Sequence, residues 1–257
     1  MFRRIRIAVL LSILVVVVLS TWTDRLNTTR WTAPMTVALF PIDADGRDAT
    51  ERYIDDLSVD DFTVVERFLQ DESAEYGIKL DRPVRFTLAP QLDAMPPARP
   101  EHPTTLQVMW WSLRLRWWAW RVPPKPPGPT PRIRLFLAYY DPERTRVLDH
   151  STGLQKGLIG VVQLFADRRE HGPNTVVLAH EFLHTLGATD KYDLATTLPS
   201  YPQGFAEPDR EPRYPQRYAE LMAGRIPVSP QKATIPASLA QVVIGPATAK
   251  EIGWLKD

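Results

Sequence analysis

Cysteine is missing from all 257 residues of this chain. Its absence excludes a disulfide framework, a thiol nucleophile, thiolate-held zinc and an acylated cysteine of the lipoprotein kind. Histidine is scarce, with five in the chain, so a metal would have to be held by a small stock of imidazoles helped by carboxylates. An excess of one charge is lacking too. Lys and Arg number 31 against 30 Asp and Glu, for a net charge of +1, which gives no global basic field for nucleic acid. No nucleic-acid partner is expected, and no internal repeat is visible.

What is present fits a folded domain: 44% hydrophobic and 24% charged residues, in a chain long enough to bury a good-sized core. Proline is in excess at 25 residues, about twice the usual share of roughly 5%. The amino terminus carries Arg3, Arg4 and Arg6, then an apolar run over 7–19 broken only by Ser12, then a polar exit through Ser20, Thr21, Asp24 and Arg25. That order describes a cleavable signal peptide or an uncleaved signal anchor. No small-x-small cleavage site follows the run, which favours the anchor, and residues 2–22 reach the roughly 20 residues of a span if the arginines snorkel. Trp22 and Trp31 would suit the far interface of the bilayer. Either way the basic end stays cytoplasmic and the rest is exported, to the periplasm or the cell exterior. The expected division is anchor and tether over 1–32 and one folded domain over 33–257.

Within that domain the patterns predict strands over 35–42, 84–88, 133–140 and 158–165. Helices are predicted over 49–57 and 60–76, the second capped by Ser58, packed through Phe62, Val65, Phe68 and Leu69, and stopped by Gly77. Residues 123–131 (PPKPPGPTP) read as a stiff spacer. The segment 104–122 holds five tryptophans and three arginines with apolar residues around most of a helical circumference. It reads as a core helix with snorkelling arginines or as an interfacial helix against a bilayer.

The stretch 174–193 reads NTVVLAHEFLHTLGATDKYD. Pro173 and Asn174 open a helix on which His180 and His184, four apart, share one face and can both offer an imidazole to one ion. Glu181 lies beside the first ligand, where it can act on water as a general base without binding the metal. Val176, Val177, Leu178, Leu183 and Leu186 would bury the helix, and Gly187 stands where a left-handed stop is wanted. Asp190, three residues on, is the natural third ligand, with Asp193, Glu207 and Glu220 as competitors. His102, His150 and His171 sit in no motif.

HEFLHTLGATDKYD resembles the metzincin zinc peptidases, in particular the forms with aspartate as third ligand such as snapalysin-like enzymes, and is similar to immune-inhibitor-A-type peptidases. The resemblance implies an α+β catalytic domain with a mixed twisted sheet, an active-site helix and a smaller carboxy-terminal subdomain. The upper part would be 33–187 and the lower part 188–257. It implies Zn²⁺ as cofactor and a peptide or protein as substrate, lying along an edge strand near 158–165. It also implies a methionine in a tight turn under the metal, and Met222 in ELMAG (220–224) fits, ahead of a helical tail over 246–255. Some metzincins place a tyrosine two residues after that methionine. Here the position is Gly224, leaving Tyr192 and Tyr218 as candidates to assist the reaction. The wall of the cleft is expected from 194–217. The function expected is a membrane-anchored zinc endopeptidase. A tethered binding or scaffold protein with an inactive or structural metal site, and a zinc hydrolase of a non-peptide amide, are the alternatives.

Overall fold

A computed structural model describes residues 6, 29–100, 104–121, 130–149, 151–155 and 157–256. No helix among them is long and apolar enough to cross a membrane. The expected anchor run and most of the proline spacer lie outside the described residues, as do Trp22, His102 and His150.

The fold is mixed α+β, built on a five-stranded mixed sheet. Its strands are β1 (Met35–Asp43), β2 (Val84–Leu88), β3 (Ile133–Tyr140), β4 (Thr152–Leu154) and β5 (Ile159–Phe165). The order is β2-β1-β3-β5-β4, all parallel except β4, which runs antiparallel to β5. The two central strands β1 and β3 are almost continuously apolar because helices cover both faces of the sheet, the usual condition of parallel strands. The expected edge strand is therefore corrected. β5 is paired on both sides, and the edge on that side of the sheet is β4, whose three residues carry no strand pattern that sequence reading could find.

Alternation along the strands sorts the core into two layers. Val37, Leu39, Leu135, Leu137, Val162 and Leu164 face α1 (Asp48–Asp55), α2 (Thr63–Glu75) and α4 (His171–Leu186). Ala38, Phe40, Ile42, Phe136 and Val161 face α3 (Thr105–Arg121) through Trp111, Leu115 and Trp118. The side chain of Arg134 reaches the Ala119 carbonyl near the end of α3, where a cation is favoured. Ahead of α2, the expected cap Ser58 joins Asp61 in a capping box, on a short 3-10 turn over Val59–Phe62.

After α4 come the short strands β6 (Ala219–Glu220), β7 (Ile226–Ser229), β8 (Lys232–Thr234) and β9 (Val242–Val243), then α5 (Pro246–Glu251). The tail helix is thus shorter than the sequence suggested. Leu221, Met222, Val242, Ile244, Ile252 and Trp254 join the same core layer as α4, so the lower segment closes over that helix. Trp31 belongs to this layer as well. It is buried, donates from Nε1 to the Ile252 carbonyl at 2.7 Å, and meets the Trp254 ring edge-on at 5.6 Å. The expectation of Trp31 at a bilayer interface is overturned by these contacts, and packing of the domain begins ahead of residue 33.

Candidate metal centre

The helix α4 starts at His171, two residues earlier than Pro173 and Asn174 suggested. Buried Asn174 fixes it to the sheet: its amide accepts from the Phe165 N–H at 3.1 Å and donates to the Phe165 carbonyl at 2.8 Å. Leu178, Ala179, Phe182, Leu183 and Leu186 bury the inner face. Gly187 ends the helix at φ +104°, and the Ala188 N–H returns to the Leu183 carbonyl at 3.1 Å. Only a residue without a Cβ enters that region cheaply. The stop turns 188–191 back under the histidines.

There the imidazoles converge. Nε2 of His180 and Nε2 of His184 are 3.0 Å apart, and Oδ1 of Asp190 is 3.2 Å from each. The Nδ1 atoms point outward, to the Leu221 carbonyl at 3.0 Å from His180 and the Ala188 carbonyl at 2.8 Å from His184. Carbonyls only accept, so each Nδ1 must carry its proton and donate. That leaves the Nε2 lone pairs facing one another and a carboxylate. Three electron-rich atoms at this spacing need a positive charge between them. A proton can supply it: burial opposes a charge on His180, but Asp190, Glu181 and the Leu221 carbonyl outweigh it and push its pKa up to about 9. A metal ion can supply it as well. On a tetrahedral zinc with bonds of about 2.0–2.1 Å, neighbouring ligand atoms stand about 3.3 Å apart. The observed triangle matches that spacing. The two imidazoles also have the outer-shell acceptors that orient metal-binding histidines.

Glu181 stands on the other side of the pair. Ligand atoms of His180, Glu181 and His184 lie within 4.8 Å of one another, while the Glu181 Oε2 is buried and without a hydrogen-bond partner among the described residues. A buried orphan oxygen is costly unless a bound molecule satisfies it. Burial raises its pKa, partly offset by the two histidines and by the Gly153 backbone N–H. For Asp190, burial would raise the pKa, but hydrogen bonds from both histidines hold it far below the ordinary carboxylate range.

The competing carboxylates are engaged elsewhere. Asp193 accepts from the Ala195 and Thr196 N–H groups. Glu207 pairs with Arg217 and Arg210. Glu220 is fully buried and accepts from Ala223 N, Gly245 N and Thr248 Oγ1 at 3.0, 3.2 and 2.6 Å. Met222 sits at 0% exposure in the 3-10 turn Leu221–Ala223, and the carbonyl beside it, Leu221, is the one His180 holds. Tyr192 lies beside the site: burial raises its pKa, with Asp190 and Glu181 adding to the effect. Tyr218 is exposed, with Arg217 over its ring. His171 lies at the start of α4 beside Tyr53 and Asp61, lining a small cavity with them. The loop 194–217 folds on its own aromatics, Phe205 meeting Tyr201 and Tyr214, and lines an open recess of about 420 Å³.

Sequence reading missed three parts of the centre. The first is Gly153 on β4: a Cβ there would lie 2.5 Å from the Glu181 carbonyl and 2.5 Å from the His184 Cβ, so only glycine lets the edge strand press on α4. The second is the pair of carbonyl acceptors, Leu221 and Ala188. The third is Lys191 with Glu251, described below, which grips the Asp190 segment. No protein-family model and no curated protein sequence matches this chain.

Proposed function

We propose that this chain is a zinc-dependent peptidase of metzincin-like design, held at a membrane by its amino-terminal segment with the folded domain exported. The observation that carries the reading is the triangle of His180, His184 and Asp190, closed to tetrahedral ligand spacing, with the orphan carboxylate of Glu181 beside it. The left-handed stop at Gly187, the buried Met222 in its turn and an antiparallel edge strand against the active-site helix support the same design.

His180, His184 and Asp190 would hold the ion, and zinc in such a site acidifies water and polarises a carbonyl. The remaining work falls to the chain. Glu181, whose charged form the neighbouring imidazoles favour against the effect of burial, takes a proton from the attacking water at its free Oε2 and delivers it to the departing amine. The Leu221 and Ala188 carbonyls keep both imidazoles in the tautomer that leaves Nε2 free. The free edge of β4 can accept an extended peptide as a further strand, which places its carbonyl near Glu181 because Gly153 brings that edge onto α4. Tyr192, close enough to Asp190 and Glu181 for their charges to raise its pKa, is the candidate to stabilise developing negative charge.

The test is metal content and cleavage in the purified full chain. Elemental analysis is expected to give about one zinc per chain, and a mixed peptide library read by mass spectrometry should show cleavage. Glu181→Gln should keep the zinc and lose cleavage by about 10²–10⁴-fold, whereas His184→Ala should lose the zinc. A Glu181→Gln protein of undiminished activity removes the base assignment. Zinc retained without cleavage of any peptide points to the tethered binding protein or to a non-peptide amide.

A further inference from the structure

We propose that the outward face of α3 docks on the surface of an anionic lipid bilayer. The helix buries one side against the sheet through Trp111, Leu115 and Trp118. A helix whose only task was to cover a sheet would turn polar residues to water. This one presents a second apolar stripe, Leu106, Trp110, Leu113, Trp117 and Trp120, spaced 4, 3, 4 and 3 and exposed by between 53% and 76%. A contiguous exposed patch of that kind marks an interaction surface.

The chemistry of the stripe selects the occupant. Three of its five residues are tryptophans, whose rings favour the headgroup boundary. Residues 104–121 hold Arg114, Arg116 and Arg121 and no acidic residue. Arg114 and Arg121 are exposed, and the Arg121 guanidinium lies 5.2 Å from the centre of the Trp117 ring. Cations are thereby held at the level of the indoles, as an anionic lipid surface requires. A second copy is a poorer fit. Pairing two such helices along the stripe would set like charges together with no carboxylate on either helix to answer them. Position adds to this, a point that rests on the proposed anchor. With 7–19 in a bilayer, residues 20–28 allow the domain a reach of at most about 35 Å at about 3.3–3.6 Å per residue, so the domain as a whole is kept near lipid, and the stripe meets it when α3 turns toward the surface.

The absence of cysteine makes the test clean. Single-cysteine variants of the full chain, Leu113→Cys, Trp117→Cys, Glu51→Cys and Leu14→Cys, are labelled with a nitroxide and placed in vesicles of phosphatidylcholine and phosphatidylglycerol. Glu51 is exposed on α1, across the sheet from α3, and Leu14 reports on the anchor. Collision of each label with oxygen and with a water-soluble nickel chelate is then compared. The labels at 113 and 117 should show an oxygen-to-nickel ratio several-fold above that at 51. If they match 51 while 14 is in lipid, the anchor stands and the docking face is overturned. Labels at 113 and 117 shielded from both relaxers mean that a second copy or another part of the chain covers the stripe, which also overturns it. If 14 is in water and 113 and 117 are in lipid, docking stands and the anchor falls.

Discussion

Lys191 and Glu251 are joined by a two-pronged ion pair, Nζ lying 2.8 and 2.7 Å from the two carboxylate oxygens, across 60 residues of chain. The Thr189 N–H and hydroxyl bind the same carboxylate at 2.9 and 2.7 Å, and the Lys191 N–H reaches the Met222 carbonyl at 2.9 Å. Asp190 sits between these two anchored residues. Its position under the histidines is thus set from α5 and from the methionine turn.

Lys191→Met should consequently weaken zinc binding without removing a ligand. Loss of an outer-shell support typically lowers metal affinity by about 10–100-fold, and chelator competition would measure it. Unchanged affinity would mean that the clamp does not place Asp190.

Gly153→Ala tests the contact between edge strand and helix. With a methyl 2.5 Å from the Glu181 carbonyl and the His184 Cβ, the strand and α4 must part, at a cost of about 1–3 kcal/mol in overpacking. Peptide cleavage should fall with it. Gly46→Ala is the comparison: it meets no atom within 4 Å at φ +66° and should show only the backbone cost of about 1–2 kcal/mol, with cleavage intact. Equal activity loss in both would detach Gly153 from the site.

Met222→Ala removes a fully buried side chain and should destabilise by about 2–5 kcal/mol. Met222→Leu, close in volume, should cost less than about 1.5 kcal/mol and keep its zinc. Loss of zinc from the leucine variant would make sulfur, rather than packing, the requirement.

Glu72 gives a pH dependence away from the ligands. It accepts from the Ile244 N–H at 2.5 Å, and burial pushes its carboxyl up to about 7, against the pull of that N–H. A raised folded pKa means that the folded state holds the proton more tightly. The resulting stability is complete below the ordinary value of 4.5 and is lost as pH rises toward about 7. Glu72→Gln should match the native protein at pH 4 and exceed it at pH 8, by about 1–2 kcal/mol once solvent screening is allowed for. Melting curves at fixed zinc would show it. A difference that does not change with pH would assign Glu72 a purely packing role.

The parts legible in the sequence are those whose signal is local. His180, Glu181, His184, Gly187 and Asp190 fall within eleven consecutive residues, where helical spacing and a glycine stop nearly dictate the geometry. Strands β1 and β3 were legible because burial on both faces leaves near-continuous apolar runs. β4 was not, since three residues carry no alternation and its proximity to α4 depends on a single missing Cβ. The Leu221 and Ala188 acceptors are backbone carbonyls, which leave no mark on residue identity. Trp31 misled because an indole suits a bilayer interface and a core alike, and only its meeting with Trp254 decides between them.

His184 finds its carbonyl four residues away, while His180 must wait for Leu221, 41 residues downstream. Lys191 must wait longer still, for Glu251. A growing chain therefore displays both imidazoles, in synthesis order, well before either the floor or the clamp exists. On the proposed reading, high affinity for zinc would arrive only once Glu251 has clamped Lys191, so metal loading would report that α5 has packed against the site.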